Sequence, residues 1–342
     1  MQEALLYERL EEKKVECLLC GHGCKIQLGK RGICGVRENR DGTLYSLVYG
    51  KACSLHIDPI EKKPLFHFFP GTTSLSIATV GCNFRCFFCQ NWTISQAPKE
   101  AEVRSQEEEI FGDDISPEEI VDEAIKQGCK SISYTYTEPT IFFEYALEIA
   151  KLAKEKGIYN VFVTNGFMSP GAIEMIAPYL DAANIDLKSM EDEFYRMLCG
   201  GRLNVVLDSI RRMKELGIWV EVTTLIIPDY NDPIENLYKI ARFLREAGED
   251  IPWHISRFYP NYKMTDIPQT PISTINKAIE IGKEAGLRYI YPGNIPKDPR
   301  ENTYCWNCRS LLIERIGFFV QKNRLIKNIC PDCGAQIDGV FE

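Results

Sequence analysis

Three cysteines lie close together in the segment GCNFRCFFCQNW, separated first by three and then by two residues. They are Cys82, Cys86 and Cys89, and no fourth Cys or His lies nearby in the sequence. A structural zinc site takes four protein ligands, so three thiols do not complete one. Three thiolates would instead bind three irons of a cubane cluster and leave the fourth iron open. The segment therefore predicts an iron–sulfur cluster with one open coordination position.

The cysteine segment directly follows the first of several short β-rich runs, which alternate with amphipathic helical segments. The seven predicted strands span residues 74–80, 131–137, 158–164, 182–188, 218–227, 253–259 and 287–293. Strands that alternate with helices in this way indicate βαβ units and a parallel sheet. The pattern predicts an α/β fold with a full or partial (β/α) TIM-like barrel, and we favour the partial form. Functional residues of such a barrel lie at the carboxyl ends of its strands.

Polar residues occur at the ends of four later strands, which a barrel would bring to one mouth. These candidates are Glu138, Asn165, Asp186, Lys188, His254 and Arg257. Each also has an ordinary structural interpretation: a carboxylate at a helix start, an Asn-Gly turn, an ion pair inside the barrel or a buried histidine. Asp186 and Lys188 share one face of their strand, because residues two apart point the same way.

The spacing C-x3-C-x2-C, with Phe88 before the last cysteine, resembles the signature of the radical SAM superfamily. The resemblance implies a [4Fe–4S] cluster whose open iron chelates S-adenosylmethionine through an amine and a carboxylate. It also implies an oxidoreductase reaction, in which reductive cleavage yields a 5′-deoxyadenosyl radical that abstracts hydrogen from a substrate. The cofactor performs this chemistry, and the protein orients it and excludes water.

The same resemblance implies roles for the strand-end residues. Phe88 is expected against the adenine of S-adenosylmethionine, and Glu138 matches the position of a GGE-like motif that holds the amino group. Thr164, Asn165 and Gly166 are similar to a TNG motif whose Asn bonds a carboxylate or ribose. The remaining implied residues are Asp186 and Lys188 of a DLK motif, His254 near a histidine that contacts S-adenosylmethionine, and Arg257 as a carboxylate or substrate clamp.

A narrower resemblance rests on the segments CLLCGHGCKIQLGKRGICGVREN and DPIEKKPLFHFFPGTTSLSIATV. They are similar to the AmmeMemoRadiSam subgroup, which is similar to pyruvate formate-lyase activating enzymes, and the similarity covers about residues 15–295. It leaves the substrate open, as a small molecule or a protein, and implies a reductant such as ferredoxin or flavodoxin. Glu61, Lys62 and Lys63 indicate either a solvated turn or a contact with a substrate or partner.

The chain has 14 cysteines, and grouped cysteines in a reducing compartment are metal ligands more often than disulfides. The carboxy-terminal quartet is Cys305, Cys308, Cys330 and Cys333. Its two CxxC pairs predict a zinc-ribbon-like module, with rubredoxin-like iron as the alternative. Such a short piece would fold only with its metal.

The amino-terminal quartet is Cys17, Cys20, Cys24 and Cys34. Its four thiols predict either zinc, as a structural brace, or an auxiliary [4Fe–4S] cluster, as an electron relay or substrate anchor. The cysteines outside the three groups are Cys53, Cys129 and Cys199, and each is expected to be a small buried apolar residue.

Composition restricts the classes of function. The net charge of −8 argues against general nucleic-acid binding. The amino terminus has no apolar signal region, and no apolar stretch reaches the length of a membrane span, so a cytoplasmic location is expected. We predict a Cys-rich module over residues 1–69, the barrel over 70–299 and the zinc-ribbon-like module over 300–342.

Three functions remain open at this point. The first is a radical SAM enzyme that acts on an unknown substrate. The second is an activase that abstracts hydrogen from the backbone of a glycyl-radical enzyme partner. The third is a non-catalytic iron–sulfur or zinc adaptor. Formation of 5′-deoxyadenosine separates the enzymes from the adaptor.

Overall fold

The computed structural model describes residues 1–99 and 110–342 and has an eight-stranded sheet at its centre. Its strands are β1 Ser54–Pro59, β2 Thr73–Ala78, β3 Ser131–Tyr134, β4 Tyr159–Thr164, β5 Ala182–Asp186, β6 Trp219–Ile226, β7 Trp253–Arg257 and β8 Ile290–Gly293. Strands β2 to β8 are parallel and lie side by side in chain order, so all seven predicted strands are present. The strand order places β1 and β8 at the two edges, as in a partial barrel.

Amphipathic helices connect the parallel strands. They are α1 Pro117–Lys126, α2 Phe143–Glu155, α3 Pro170–Ile176, α4 Leu203–Glu215, α5 Ile234–Ala247 and α6 Ile272–Glu284. The start of α1 shows why the sequence is helical there. The Ser116 hydroxyl accepts a bond from the Glu119 backbone N–H, and the Glu119 carboxylate accepts one from the Ser116 N–H. This reciprocal pair satisfies two N–H groups that a helix start otherwise leaves unpaired.

Strand β1 was not predicted, and it belongs to the central sheet. Ser54–Pro59 pairs antiparallel with β2, from Ser54 opposite Ala78 to Pro59 opposite Thr73. In its sequence, SLHIDP, Leu55 and Ile57 alternate with polar residues over only five positions before Pro59, which is a weaker signal than the longer β-rich runs. Strand β1 therefore lies within the expected amino-terminal module of residues 1–69 but belongs to the sheet of the barrel.

The amino-terminal region consists of short strands that pack against the barrel. They are Gln2–Glu3, Tyr7–Arg9, Val15–Cys17, Lys25–Ile26, Arg37–Arg40, Thr43–Ser46 and Lys51–Ala52. Buried side chains of this region share one apolar core with the barrel. Arg37 joins the two parts through a 2.6 Å ion pair with Glu144 of α2, and both side chains are buried. Removal of one partner of such a pair costs about 3–5 kcal/mol.

The carboxy-terminal region forms a three-stranded antiparallel sheet of Thr303–Tyr304, Leu311–Ile316 and Phe319–Asn323. It packs on Phe66, Tyr289 and Tyr291 in a separate apolar cluster. Arg315 fixes this contact, because its buried guanidinium donates to the Phe66 carbonyl at 2.8 Å and to the Thr303 hydroxyl at 2.8 Å. Within the described residues, no helix is long and apolar enough to cross a membrane.

A buried carboxyl group beside Arg315 gives this region a pH-dependent stability. Burial, and then the charge of Asp298, raise the pKa of Glu301 to about 7 from 4.5. The native state therefore keeps a proton between pH 4.5 and 7 that the unfolded state has lost, so stability falls as the pH rises through this window.

We expect wild type to lose about 1–2 kcal/mol of stability between pH 5 and pH 8 relative to a Glu301→Gln variant, because solvent screens part of the shift at this carboxyl, which is not fully buried. Anaerobic urea unfolding of both proteins at the two pH values, followed by circular dichroism, measures the difference. Parallel pH dependence in the two proteins would contradict a raised pKa.

Candidate active site

The three-cysteine loop begins directly after β2 and is fixed on several sides. Gly81 has a φ of +100°, and a Cβ there would lie 2.7 Å from Val36, so the turn requires glycine. The backbone N–H of Arg85 donates to the Cys199 carbonyl at 2.8 Å. The Cys89 thiol lies 3.2 Å from the Ser95 hydroxyl. These contacts hold the loop against the barrel at the carboxyl end of β2.

One cavity of about 440 Å³ collects most of the predicted site residues. Its lining includes the three thiols together with side chains from the ends of β3, β4 and β5. The predicted residues that line it are Cys82, Cys86, Cys89, Phe88, Glu138, Asn165, Asp186 and Lys188. The barrel thus brings residues from positions 82 to 188 of the chain to one place.

Glu138 is fully buried at the wall of this cavity and is held by four donors. Its Oε1 accepts bonds from the backbone N–H of Thr140 at 3.1 Å, the Thr140 hydroxyl at 2.5 Å and the Thr164 hydroxyl at 2.7 Å. Its Oε2 accepts from the Asn165 N–H at 2.8 Å. Burial raises the pKa of Glu138, although these bonds favour the ionised form. The four hydrogen bonds fix the orientation of the Glu138 carboxyl group.

Asn165 connects the third parallel strand to the cysteine loop. Its amide nitrogen donates to Asn83 Oδ1 at 2.8 Å and lies 3.7 Å from the Cys82 sulfur. Its Oδ1 accepts from the Phe167 N–H at 2.9 Å, which closes a local turn. The Asn165 side chain thus closes the Asn-Gly turn and also contacts the three-cysteine loop.

Asp186 and Lys188 form an ion pair of 2.8 Å that faces the cavity. The Lys188 ammonium also lies 5.6 Å from the centre of the Phe88 ring, within reach of a cation–π contact. Burial opposes the charged ammonium, but the negative charges of Asp186 and Cys86 outweigh it and raise the pKa of Lys188. The Lys188 ammonium therefore stays charged beside the thiols.

His254 and Arg257 do not join this group. His254 is buried in the wall of an adjoining cavity of about 630 Å³, where its Nε2 lies 2.6 Å from Glu221. Arg257 donates through Nε to the Thr270 carbonyl at 2.6 Å and packs over the Tyr259 ring. Within the described residues, Arg257 lines neither cavity. The contacts of Arg257 are those of a structural side chain, whereas His254 borders the adjoining cavity.

Two lysines, for which the sequence left open a solvated turn or a contact with a substrate or partner, also lie at the site. Lys62 and Lys63 line the cavity of the thiols and pair with Asp58 at 2.7 and 2.6 Å. The i,i+4 spacing of Asp58 and Lys62 was the available signal. Burial lowers the pKa of Lys63 to about 8. Cys199 is buried as expected, but its thiol and burial together raise the pKa of Cys86, a proximity that no spacing could reveal.

The distances between sulfur atoms distinguish the cysteine groups. In the carboxy-terminal quartet all four sulfur atoms lie within 4.8 Å of one another, with two separations of 3.7 Å. A tetrahedron with metal–sulfur bonds of about 2.3 Å has edges of about 3.8 Å, so this quartet fits a single metal ion. Among the described residues, no other three potential ligands are as close together. The three thiols of the cavity therefore do not lie as close together as the ligands of a single ion, and the thiolates of a cubane stand farther apart than such ligands.

Comparison with known proteins agrees with this geometry. The family model of the radical SAM superfamily matches residues 76–244. An uncharacterised protein of Methanocaldococcus jannaschii is 48% identical over 100% of both chains. The chain belongs to the radical SAM superfamily. Membership implies a [4Fe–4S] cluster and S-adenosylmethionine, and the three thiols around the cavity fit the cluster.

More distant relatives of this radical SAM protein have named activities. The pyruvate formate-lyase-activating enzyme of Clostridium pasteurianum is 24% identical over 55% of this chain and 80% of its own. Among solved structures, Streptococcus suis SuiB bound to S-adenosylmethionine has a TM-score of 0.50 at 15% identity, covering 69% of this chain and 53% of SuiB. A radical SAM methyltransferase from Sphaerobacter thermophilus has a TM-score of 0.50 at 18% identity, covering 66% and 67%. These likenesses show the fold.

Proposed function

We propose that the chain is an enzyme that reductively cleaves S-adenosylmethionine at a [4Fe–4S] cluster bound by Cys82, Cys86 and Cys89. The observation that carries the proposal is the incomplete ligand set, three thiols around a cavity of about 440 Å³. When bound, the two cofactors supply a 5′-deoxyadenosyl radical that abstracts hydrogen from a substrate. The residues of the chain bind and orient the cofactors and exclude water.

Glu138 is proposed to receive the amino group of S-adenosylmethionine. Three of its four bonds converge on Oε1, whereas the described contacts give Oε2 a single donor, from the Asn165 backbone. Each carboxylate oxygen offers about two lone-pair sites, so Oε2, with its single donor, is the less occupied oxygen and can accept a further bond. Phe88 and Asp186 line the same cavity and are proposed to contact the adenine and the ribose.

The adjoining cavity of about 630 Å³ is proposed to hold the substrate. The two cavities share lining residues, namely Lys62, Gln90, Thr223, Ser256 and Asn294. A molecule in the second cavity would therefore face a molecule in the first. His254, in the wall of the second cavity, is proposed to position the substrate rather than S-adenosylmethionine.

An Asn165→Asp variant is expected to cleave S-adenosylmethionine at least about ten-fold more slowly, because outer contacts tune the centre that they touch. The change keeps the acceptor for the Phe167 N–H and replaces the amide donor beside Cys82 with a negative charge. Iron content should not change. The measurement is 5′-deoxyadenosine formed per iron centre, with Asn204→Asp on the exposed face of α4 as the matched control.

The proposed function is tested by anaerobic reconstitution with iron and sulfide, followed by dithionite and S-adenosylmethionine. We expect 5′-deoxyadenosine and methionine as products. A protein that binds about four irons but yields neither product would instead be the iron–sulfur adaptor.

A second candidate is an activase of a glycyl-radical enzyme, and the similarity to pyruvate formate-lyase activating enzymes supports it. Its substrate would be a backbone glycine of a partner protein, and its electron would come from a reductant such as ferredoxin or flavodoxin. The test adds a glycyl-radical enzyme to the reconstituted protein and records a glycyl radical by electron paramagnetic resonance. Cleavage of S-adenosylmethionine without that radical would favour the small-molecule substrate.

The carboxy-terminal quartet is proposed to bind zinc. The 3.7 Å separations of its sulfur atoms support a mononuclear tetrahedral site, and the exposed position of Cys308 and Cys333 places that site at the surface. Zinc in such a site is structural, because four thiolates leave no open position.

A further inference from the structure

We propose that the amino-terminal quartet, Cys17, Cys20, Cys24 and Cys34, binds a second [4Fe–4S] cluster and not zinc. The four thiols line one small cavity between the amino-terminal strands and the three-cysteine loop. The inference concerns the metal content of the protein and does not depend on the reaction proposed above, whereas the use of this cluster as an electron relay rests on that reaction.

The spacing of the four thiols is the first argument. In the carboxy-terminal quartet the sulfur atoms lie as close as a single tetrahedral ion requires, all within 4.8 Å. In the part of the chain that the structure describes, the amino-terminal thiols form no such group, not even three at a time. They nevertheless surround one cavity. A cubane holds its four irons at separate corners, so its thiolates stand farther apart than those around one ion.

Arg37 gives the second argument. It lines the same cavity, is 1% exposed, and is paired with Glu144 through its terminal nitrogens. Its Nε finds no hydrogen-bond acceptor among the described residues. A buried donor without a partner costs about 1–3 kcal/mol. The thiolates and sulfides of a bound cluster would supply an acceptor with negative charge, which a guanidinium favours.

The position of this site relative to the first cluster indicates its use. His22, from the amino-terminal cavity, lies 2.8 Å from the carbonyl oxygen of Asn83, a residue of the three-cysteine loop. Asn83 lines the amino-terminal cavity and bonds Asn165 on its other side. The half-buried Lys99 ammonium donates to the carbonyl of Phe84 in the three-cysteine loop at 2.7 Å. It also lies within electrostatic reach of both Cys34 and Cys82. One layer of side chains therefore separates the two sites.

A cluster at the amino-terminal quartet is accordingly placed to relay electrons. One electron would enter from a reduced ferredoxin or flavodoxin and one would leave to the first cluster. The second cluster would return to its starting state, so the electrons balance.

Iron, sulfide and zinc analysis of the anaerobically reconstituted full chain tests the inference. We expect about eight irons and eight sulfides per chain in wild type. A variant with Cys82, Cys86 and Cys89 all replaced by Ala should keep about four of each, with an electron paramagnetic resonance signal that S-adenosylmethionine does not change. A Cys17→Ala, Cys20→Ala variant should lose about four irons and keep a signal that S-adenosylmethionine changes.

A triple variant without iron, together with a second zinc ion per chain, would overturn the inference. Wild type provides a check that requires no substitution. The reduced protein should give two electron paramagnetic resonance signals, and S-adenosylmethionine should alter one of them. A single signal that changes completely would count against a second cluster. Cys129→Ala, at a buried thiol outside the three groups, is the matched control and should retain all the iron. The iron of the triple variant is measured without any turnover, so this outcome is separate from failure of the proposed reaction.

Discussion

A Cys86→Ala variant is expected to form no 5′-deoxyadenosine above background. Cys86 is buried, lies between the other two ligands in the loop, and lines the cavity proposed for S-adenosylmethionine. With two thiolates the chain would hold two irons of a cubane, and the cluster would not keep one iron open in a defined position. The expected loss is therefore complete, larger than for any residue that acts by orientation.

The measurement is 5′-deoxyadenosine formed with dithionite under anaerobic conditions, normalised to protein and compared with iron content. Cys53→Ala is the control, because Cys53 is a half-buried thiol outside all three groups. Product formation by Cys86→Ala at the wild-type rate would refute the assignment of the loop. Loss of product in both variants would indicate general damage by cysteine replacement.

A Cys330→Ala variant is expected to lose the carboxy-terminal metal and the order of residues 300–342. Cys330 is buried among the apolar residues of this module, and its sulfur lies 3.7 Å from that of Cys308. A structural zinc ion contributes about 10–16 kcal/mol in small zinc-binding peptides, far more than this short sheet could replace. The barrel has its own core, so the iron content should remain as in wild type.

Zinc analysis and hydrogen exchange follow the two effects separately. We expect the zinc content to fall from one ion per chain to none. Fast hydrogen exchange should be confined to residues 300–342. Cys53→Ala serves again as the thiol control. Retention of the metal, or unchanged protection of the Leu311–Ile316 strand, would show that the module does not depend on this ligand set.

The sequence was most informative where function depends on local spacing or on strand order. Three cysteines within eight residues predicted a site on their own, and the alternation of strands and helices predicted that Glu138, Asn165 and Asp186 would meet at one mouth. The roles that these residues play towards S-adenosylmethionine stay predictions. The spacing of sulfur atoms, which separates a single ion from a cluster, is a property of the folded chain.

The placement of side chains by strand pairing was beyond sequence patterns. Lys62 and Lys63, which pair with Asp58, line the cavity because β1 joins the sheet at its edge, and only a five-residue alternation of polar and apolar residues indicates β1. His254 lies on the expected strand, but its bond to Glu221 depends on the register of β6 against β7. Such register is set by packing across the whole sheet.

The turn between the last two strands, Gly317 and Phe318, forms part of the wall of the larger cavity. A surface loop of the smallest module thus borders the chamber proposed for the substrate, about two hundred residues along the chain from the cysteines that start the chemistry. Substitutions within residues 300–342 alone could therefore change which substrate the larger cavity accepts. Homologues that share the barrel and diverge after residue 300 would then be expected to process different compounds with the same radical.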